Sequence, residues 1–361
     1  MQTGVRQFLL ACLRTRIRPV ERDALLDAAL ASAPPWDDVL RVAETERVAP
    51  LLHDVLRHRP DVDAEILQAL ARSFHRTSLR NMLAFRALGE VLGALTRAGV
   101  PVVVLKGAAL AETVYRNIGL RPMYDVDLLV RESDIDPALG VLAACNCAPA
   151  EPRAVDGFRA GQQHGLVLRR AAGPGVLELE LHRTLIDAPS HRRVLALQWF
   201  WDHTVPATIG GAPALSLAPE AQLLHLCAHA RLHHYGDELL WLHDVAELLT
   251  AARDRIAWNV VLRQARACHL VSAVRDVVMD VGREWQAPIP TNVLRELSTL
   301  RPSLTSSARY AWARVFPSFP YMQQRFGVPR RWLLPFYYPY RWLVGVRGTI
   351  GRRDLGDPEQ L

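Results

Sequence analysis

Residues 101–131, PVVVLKGAALAETVYRNIGLRPMYDVDLLVR, decide the fold. PVVVLKG is a short, continuous β-branched run that ends at Gly107, the pattern of a buried strand. AALAETVYRN, directly after it, has helical spacing. DVDLLVR (125–131) alternates polar and apolar and then turns apolar, so a second strand is expected there.

Outward from this stretch, SDIDPALGVLAAC (133–145) reads as a helix with Ser133 as N-cap and Asp136 three residues on. GLVLRR (165–170) and VLELELHR (176–183) are two further strands split by the turn AAGPG. Strand, helix, strand, helix and then a run of strands describes an α+β core with a small mixed sheet over residues 100–205. Residues 1–99 are expected to be a helical N-terminal region, because their apolar positions recur every three or four residues between Pro34, Pro35, Pro50 and Pro60. Residues 206–361 are expected to form a helical C-terminal domain, helical from Pro219 and ending in an aromatic, arginine-rich tail (310–348).

Asp125 and Asp127 stand two apart on an expected strand, so they share a face with Cα atoms about 6.5–7 Å apart. Carboxylates so placed can bridge divalent cations about 3.5–4 Å apart, the spacing of two-metal phosphoryl chemistry. Gly107 sits at a strand-to-helix junction, where backbone amides receive phosphate oxygens. Glu178, Glu180 and His182 alternate along an otherwise apolar strand. A carboxylate on a half-buried strand is costly unless paired or metal-bound, so a third acid from this strand is expected in the site. A register slip of two would bring Glu178 there instead of Glu180.

The runs LKGAALAETVYRNIGLRPMYDVDLLV and LELELHR resemble the uncharacterised nucleotidyltransferase family of the polymerase-β-like superfamily. The resemblance extends to RVAPLLHDVL and SLRNMLAFRALGEVLGALTRAGVPVVVLKG before the core, and to LAPEAQLLHLCAHARLHHYGDELLWLHDVAELL and IAW after it, roughly residues 48 to 260. It implies Asp125, Asp127 and Glu180 as catalytic, metal-binding carboxylates for Mg²⁺ or Mn²⁺, and Lys106 and Gly107 as the element that meets the nucleotide phosphates. Arg121 also fits the family pattern and is an expected triphosphate contact; the competing reading, shared with Arg116, is a surface arginine. Ala108 stands where many members of the superfamily carry serine, so phosphate contact would fall to backbone amides and Lys106. The implied reaction moves a nucleoside monophosphate from a nucleoside triphosphate to an unidentified small-molecule, peptide or protein acceptor, with pyrophosphate leaving. The competing readings are a catalytically silent nucleotide-binding or protein-interaction module, and a phosphohydrolase with water as acceptor.

Composition narrows the field further. Lys106 is the only lysine among 43 basic residues, which suggests a position that does not accept a guanidinium. A net charge of +6 suits a phosphate-bearing ligand without calling for nucleic acid. Five cysteines without a CxxC pair argue against a disulfide framework or structural zinc, and a cytoplasmic location is expected. FLLACL near the N-terminus is too short for a signal peptide and reads as part of an amphipathic helix; no apolar run is long enough to span a membrane. The tail is expected to pack as final helices, with membrane-surface contact as the alternative. His225, His229 and His233 recur every four residues, with Asp244 on the next helix. That spacing can hold a transition metal, but helix–helix hydrogen bonding or acceptor binding is the preferred reading.

Overall fold

The computed structural model describes residues 2–152, 154–161, 165–186, 196–233 and 239–300, together with 315–316, 322, 328 and 330–341. The chain divides into two compact units, 1–301 and 302–361. In the second, a 3₁₀ turn Arg331–Leu333 leads into a helix over 334–341, and Phe316 meets Tyr338 edge to face. Most of the 310–348 tail lies outside the described residues. Among the described residues no helix is long and apolar enough to cross a membrane.

The first unit opens with five helices: α1 (Gln2–Ile17), α2 (Arg22–Leu30), α3 (Trp36–Thr45), α4 (Ala49–Leu56) and α5 (Ala64–Arg97). In α5 the buried side chains fall at 70, 73, 77, 81, 85, 87, 88, 91, 92 and 95, one face at the helical repeat that widens towards the C-terminal end. Gly99 ends this helix in the left-handed region (φ +69°), a conformation that suits glycine just past a helix terminus.

Seven strands follow: β1 (Val103–Val104), β2 (Val126–Leu129), β3 (Ala148–Pro149), β4 (Gly165–Ala172), β5 (Gly175–His182), β6 (Thr204–Ile209) and β7 (Ala212–Leu217). Between them lie α6 (Lys106–Thr113), α7 (Ile135–Ala144), α8 (Ala154–Arg159) and α9 (Leu197–Asp202). The sheet order is β3-β4-β5-β2-β1-β7-β6. The central strands β1 and β2 are apolar apart from Asp127 and wholly buried, as strands covered on both faces must be. One core joins Phe85, Leu88 and Leu92 of α5 to Val104, Leu128, Leu179 and Leu181 of the sheet and to Leu142 of α7.

Two expectations need correction. The sheet does not stop near residue 205: that limit cuts β6, and the β6–β7 hairpin extends the sheet to Leu217, with β7 lying parallel to β1. The helical regions flank this sheet as expected, and they also meet each other. Within the first unit α1 packs on α11 (Leu239–Ala251), where Arg16 bridges Asp54 of α4 and Glu247 of α11. Helices α10 (Pro219–Ala228), α12 (Trp258–Ala267), α13 (Val271–Asp280) and α14 (Thr291–Thr299) complete that body. Ser133 does not cap α7; a 3₁₀ turn over Glu132–Asp134 precedes the helix and the Ser133 hydroxyl donates to Asp134 instead.

The hairpin turn of β6–β7 docks on α5 through two glycines. A Cβ on Gly89 would stand 2.0 Å from the Gly210 carbonyl oxygen, so only glycine allows backbone to touch backbone there. Gly89→Ala is therefore expected to destabilise the fold by about 1–3 kcal/mol, even though alanine is the better helix former. Urea denaturation checks this; an unchanged or raised midpoint contradicts the close approach.

Candidate active site

Register brings the acids together. β2 runs parallel to β5 with Asp127 opposite Glu180 and Leu129 opposite His182, so Asp127, Glu180 and His182 project from one face. β1 is antiparallel to β2, and the Leu105 N–H donates to the Asp127 carbonyl at 3.0 Å. Lys106, one residue on, therefore begins α6 beside the Asp127 side chain. Its backbone is left-handed (φ +46°), an arrangement that costs a non-glycine residue on the order of 1 kcal/mol or more.

Asp127 is 3% exposed, yet its carboxylate is satisfied twice on one oxygen. The Lys106 ammonium donates to Oδ1 at 2.7 Å, and His182 Nε2 donates to the same atom at 2.7 Å. His182 Nε2 also lies 3.5 Å from Glu180 Oε2. Burial alone would raise the Asp127 pKa; Lys106 and His182 outweigh it and hold the carboxyl far below the usual range. Burial likewise works against Glu180, but His182 brings it down to about 2. For His182, burial opposes the charge and the two carboxylates prevail, raising the imidazole to about 9. Asp125 immediately precedes β2 and is exposed to solvent. Loss of water and repulsion from Asp127 push its pKa up, against the pull of Lys106.

The ligand atoms of Asp127, Glu180 and His182 all lie within 4.8 Å of one another, a group able to hold a metal ion. Asp125 stands outside that group at the mouth of the site. Glu178 does not compete for it: its carboxylate pairs with Arg169 of β4 at 2.9 Å. Two contributors escaped the sequence reading. His182 orients Asp127, which period-two alternation with Glu180 foreshadowed. Gly165 lies across from His182, and a Cβ there would stand 2.4 Å from Glu180 Oε1. Only its position at the start of GLVLRR hinted at this.

Arg121 is placed differently from the sequence expectation. It is buried and its guanidinium grips Asp244 of α11 with two bonds, Nε–Oδ1 at 3.2 Å and Nη2–Oδ2 at 2.7 Å. The Tyr115 hydroxyl donates to the same Oδ1 at 2.7 Å, and Arg121 Nη1 donates to the Pro122 carbonyl at 2.7 Å. Arg121 thus fixes the loop before β2 rather than standing in solvent for a triphosphate. Gly107 makes room for it, since a Cβ would come within 2.7 Å of Arg121 Nη1. Arg116 is exposed.

The histidine helix offers no metal group among the described residues. The α-helix stops at Ala228 and His229–His233 is a π-turn, which breaks the four-residue face. Asp244 is committed to Arg121, and the His233 side chain lies outside the described residues. The five cysteines are all free.

Acids from neighbouring strands of a mixed sheet, beside a strand-to-helix junction carrying a lysine, define a nucleotidyltransferase-type core. Residues 32–279 match the family model of the uncharacterised nucleotidyltransferases, and the chain belongs to that family. No curated protein and no solved structure gives a significant match.

The Arg121–Asp244 pair carries a stability prediction. Asp244→Ala leaves a guanidinium buried without its carboxylate and is expected to cost about 3–5 kcal/mol, while Arg121→Leu/Asp244→Leu is expected to cost less. Denaturant titration of the two variants checks the order; a double variant as unstable as the single one contradicts it.

Proposed function

We propose that the chain transfers a nucleoside monophosphate from a nucleoside triphosphate to an unidentified acceptor, releasing pyrophosphate. The observation that carries this reading is the register of β2 on β5, which sets Asp127 against Glu180 with Asp125 at the mouth. The Asp127 and Glu180 carboxylates suit a hard divalent cation, since hydrated Mg²⁺ or Mn²⁺ takes carboxylate oxygens, and their ligand atoms lie within 4.8 Å of each other and of His182. Asp125, Asp127 and Glu180 would hold it, and when bound it would lower the pKa of the attacking group and neutralise charge at the α-phosphorus.

The remaining roles belong to the chain. Lys106, with its ammonium already at the acid pair, is placed to meet a phosphate oxygen at the start of α6. The amides of Gly107 and Ala108 at that helix start take the part of the serine found elsewhere in the superfamily. Glu180, half-buried beside His182, is placed to accept a hydrogen bond from an acceptor hydroxyl and orient it. His182 is a positioning residue: its bond to Oδ1 orients the Asp127 carboxylate.

A second reading has an observation of its own. Lys106 and His182 already neutralise Asp127, so a chain that binds a triphosphate without cleaving it satisfies the same geometry. Pyrophosphate release separates the two. The purified chain with Mg²⁺ or Mn²⁺, each labelled triphosphate and a metabolite and peptide extract is expected to release pyrophosphate and label an acceptor. Asp127→Asn and Glu180→Gln are each expected to lower that rate by about a hundredfold or more with an unchanged circular dichroism spectrum. Lys106→Arg is expected to lose activity as well. Unchanged release in Asp127→Asn overturns the transferase reading; nucleoside monophosphate as sole product identifies water as the acceptor.

A further inference from the structure

Charge is unevenly divided along the chain. Residues 302–361, the second compact unit, hold nine arginines and three acids, Asp354, Asp357 and Glu359. Their excess of six equals the formal net charge of the whole chain, +6, so residues 1–301 are balanced. The three acids stand at the far end: from 302 to 353 the sequence has nine arginines and no aspartate or glutamate. The same unit holds twelve of the chain's 26 aromatic residues, so cations and rings are concentrated together.

The helix over 334–341, with the 3₁₀ turn before it, reverses the usual arrangement of a surface helix. Exposure follows a helical repeat: Trp332, Pro335, Phe336, Pro339 and Tyr340 are exposed, while Leu333, Leu334, Tyr337 and Tyr338 are half-buried. Tyr338 holds the inner side against Phe316, edge to face at 5.1 Å. A surface helix ordinarily turns charged and polar residues outward. Here Trp332 is 65%, Phe336 70% and Tyr340 50% exposed. No other helix among the described residues exposes more than two large hydrophobic side chains. The run WLLPFYYPY (332–340) carries no charged side chain; Arg330 and Arg331 precede it and Arg341 follows it.

We infer that this outward face is a membrane-surface site, in which Trp332, Phe336 and Tyr340 enter the headgroup–acyl boundary of an anionic bilayer while arginines of the unit meet lipid phosphates. Ring burial supplies the short-range attraction and the excess of six charges the long-range one. Trp and Tyr suit that depth, since each has an apolar body and a polar tip. A single strand of nucleic acid also takes rings and cations, but it needs them interleaved, a cation for each phosphate beside each stacked base. Nine residues without a cation separate Arg331 from Arg341, a layout that suits an apolar layer bounded by charge. The helix over 334–341 extends about 12 Å against a hydrocarbon core about 30 Å thick, so it lies in the surface rather than crossing. Membrane contact by this face requires nothing of the carboxylates, and it stands whether or not the chain transfers nucleotides.

The test sediments the full chain with vesicles of phosphatidylcholine alone and of equal parts phosphatidylcholine and phosphatidylglycerol. The wild-type chain is expected to pellet with the anionic vesicles, to stay in solution with the neutral ones, and to be released as salt is raised. Trp332→Ser/Phe336→Ser is expected to weaken binding to the anionic vesicles about tenfold or more. Arg330→Gln, at an exposed position outside the apolar run, is expected to weaken it about threefold or more. Both variants replace exposed side chains and are expected to keep the circular dichroism spectrum of the wild type. No pelleting with the anionic vesicles, or pelleting unchanged in the aromatic variant, overturns the membrane site. Binding of a labelled single-stranded RNA that the aromatic variant loses, without vesicle binding, overturns it in favour of nucleic acid. A wild-type dimer that the aromatic variant dissociates in analytical ultracentrifugation, again without vesicle binding, overturns it in favour of self-association.

Discussion

The Asp127 carboxylate sits where an isolated ion cannot stay, 3% exposed between the central strands of the sheet. Removing such a charge from water costs several kcal/mol unless donors replace the lost hydration. Two donors do so, and each comes from a different neighbouring strand. Lys106 arrives because β1 ends where β2 begins in an antiparallel pair; His182 arrives because β5 runs parallel to β2. Shift either register by one residue and the donor turns to the opposite face. The burial of one aspartate thus ties three strands into a single arrangement, and that arrangement also aligns Glu180.

The packing around this core serves the same end. α5 covers the sheet with its apolar C-terminal half, and the close backbone approach at Gly89 anchors the β6–β7 hairpin that flanks β1. Arg121 and Asp244 tie the loop carrying Tyr124 and Asp125 to α11, which in turn rests on α1. The N-terminal and C-terminal helices are therefore two sides of one support, and the mouth of the site is held from both ends of the sequence.

Much of this was legible beforehand, for physical reasons that differ by residue. A β-branched run ending in glycine and an Asp-x-Asp entering an apolar run each announce a buried strand, and Glu180 on a period-two strand announces a third acid. What the sequence could not show is which strand pairs with which. Glu178 and Glu180 are equivalent by alternation, and only the pairing of Glu178 with Arg169 separates them. Arg121 read as a candidate phosphate ligand because its partner, Asp244, lies 123 residues away. The four-residue histidine spacing does not persist as one face because a π-turn changes the angle per residue after Ala228, and no local propensity marks such a turn. The β6–β7 hairpin was missed because TVPATI and APALSL are too short and too mixed to declare a strand without their sheet.

The solitary lysine finds its explanation in the same geometry. Arginine serves this chain at every other basic position, including buried ones such as Arg121, where a planar fork meets both oxygens of a carboxylate. At Asp127 that mode would compete with His182, which already bonds Oδ1. A compact ammonium on a flexible stem reaches a single shared oxygen at 2.7 Å; a guanidinium would have to displace the imidazole or leave donors buried and unpaired. The ammonium also retains rotatable donors, so it can exchange a carboxylate oxygen for a phosphate oxygen without rebuilding its surroundings. The oxygen shared with His182 accounts for a lysine at this one position.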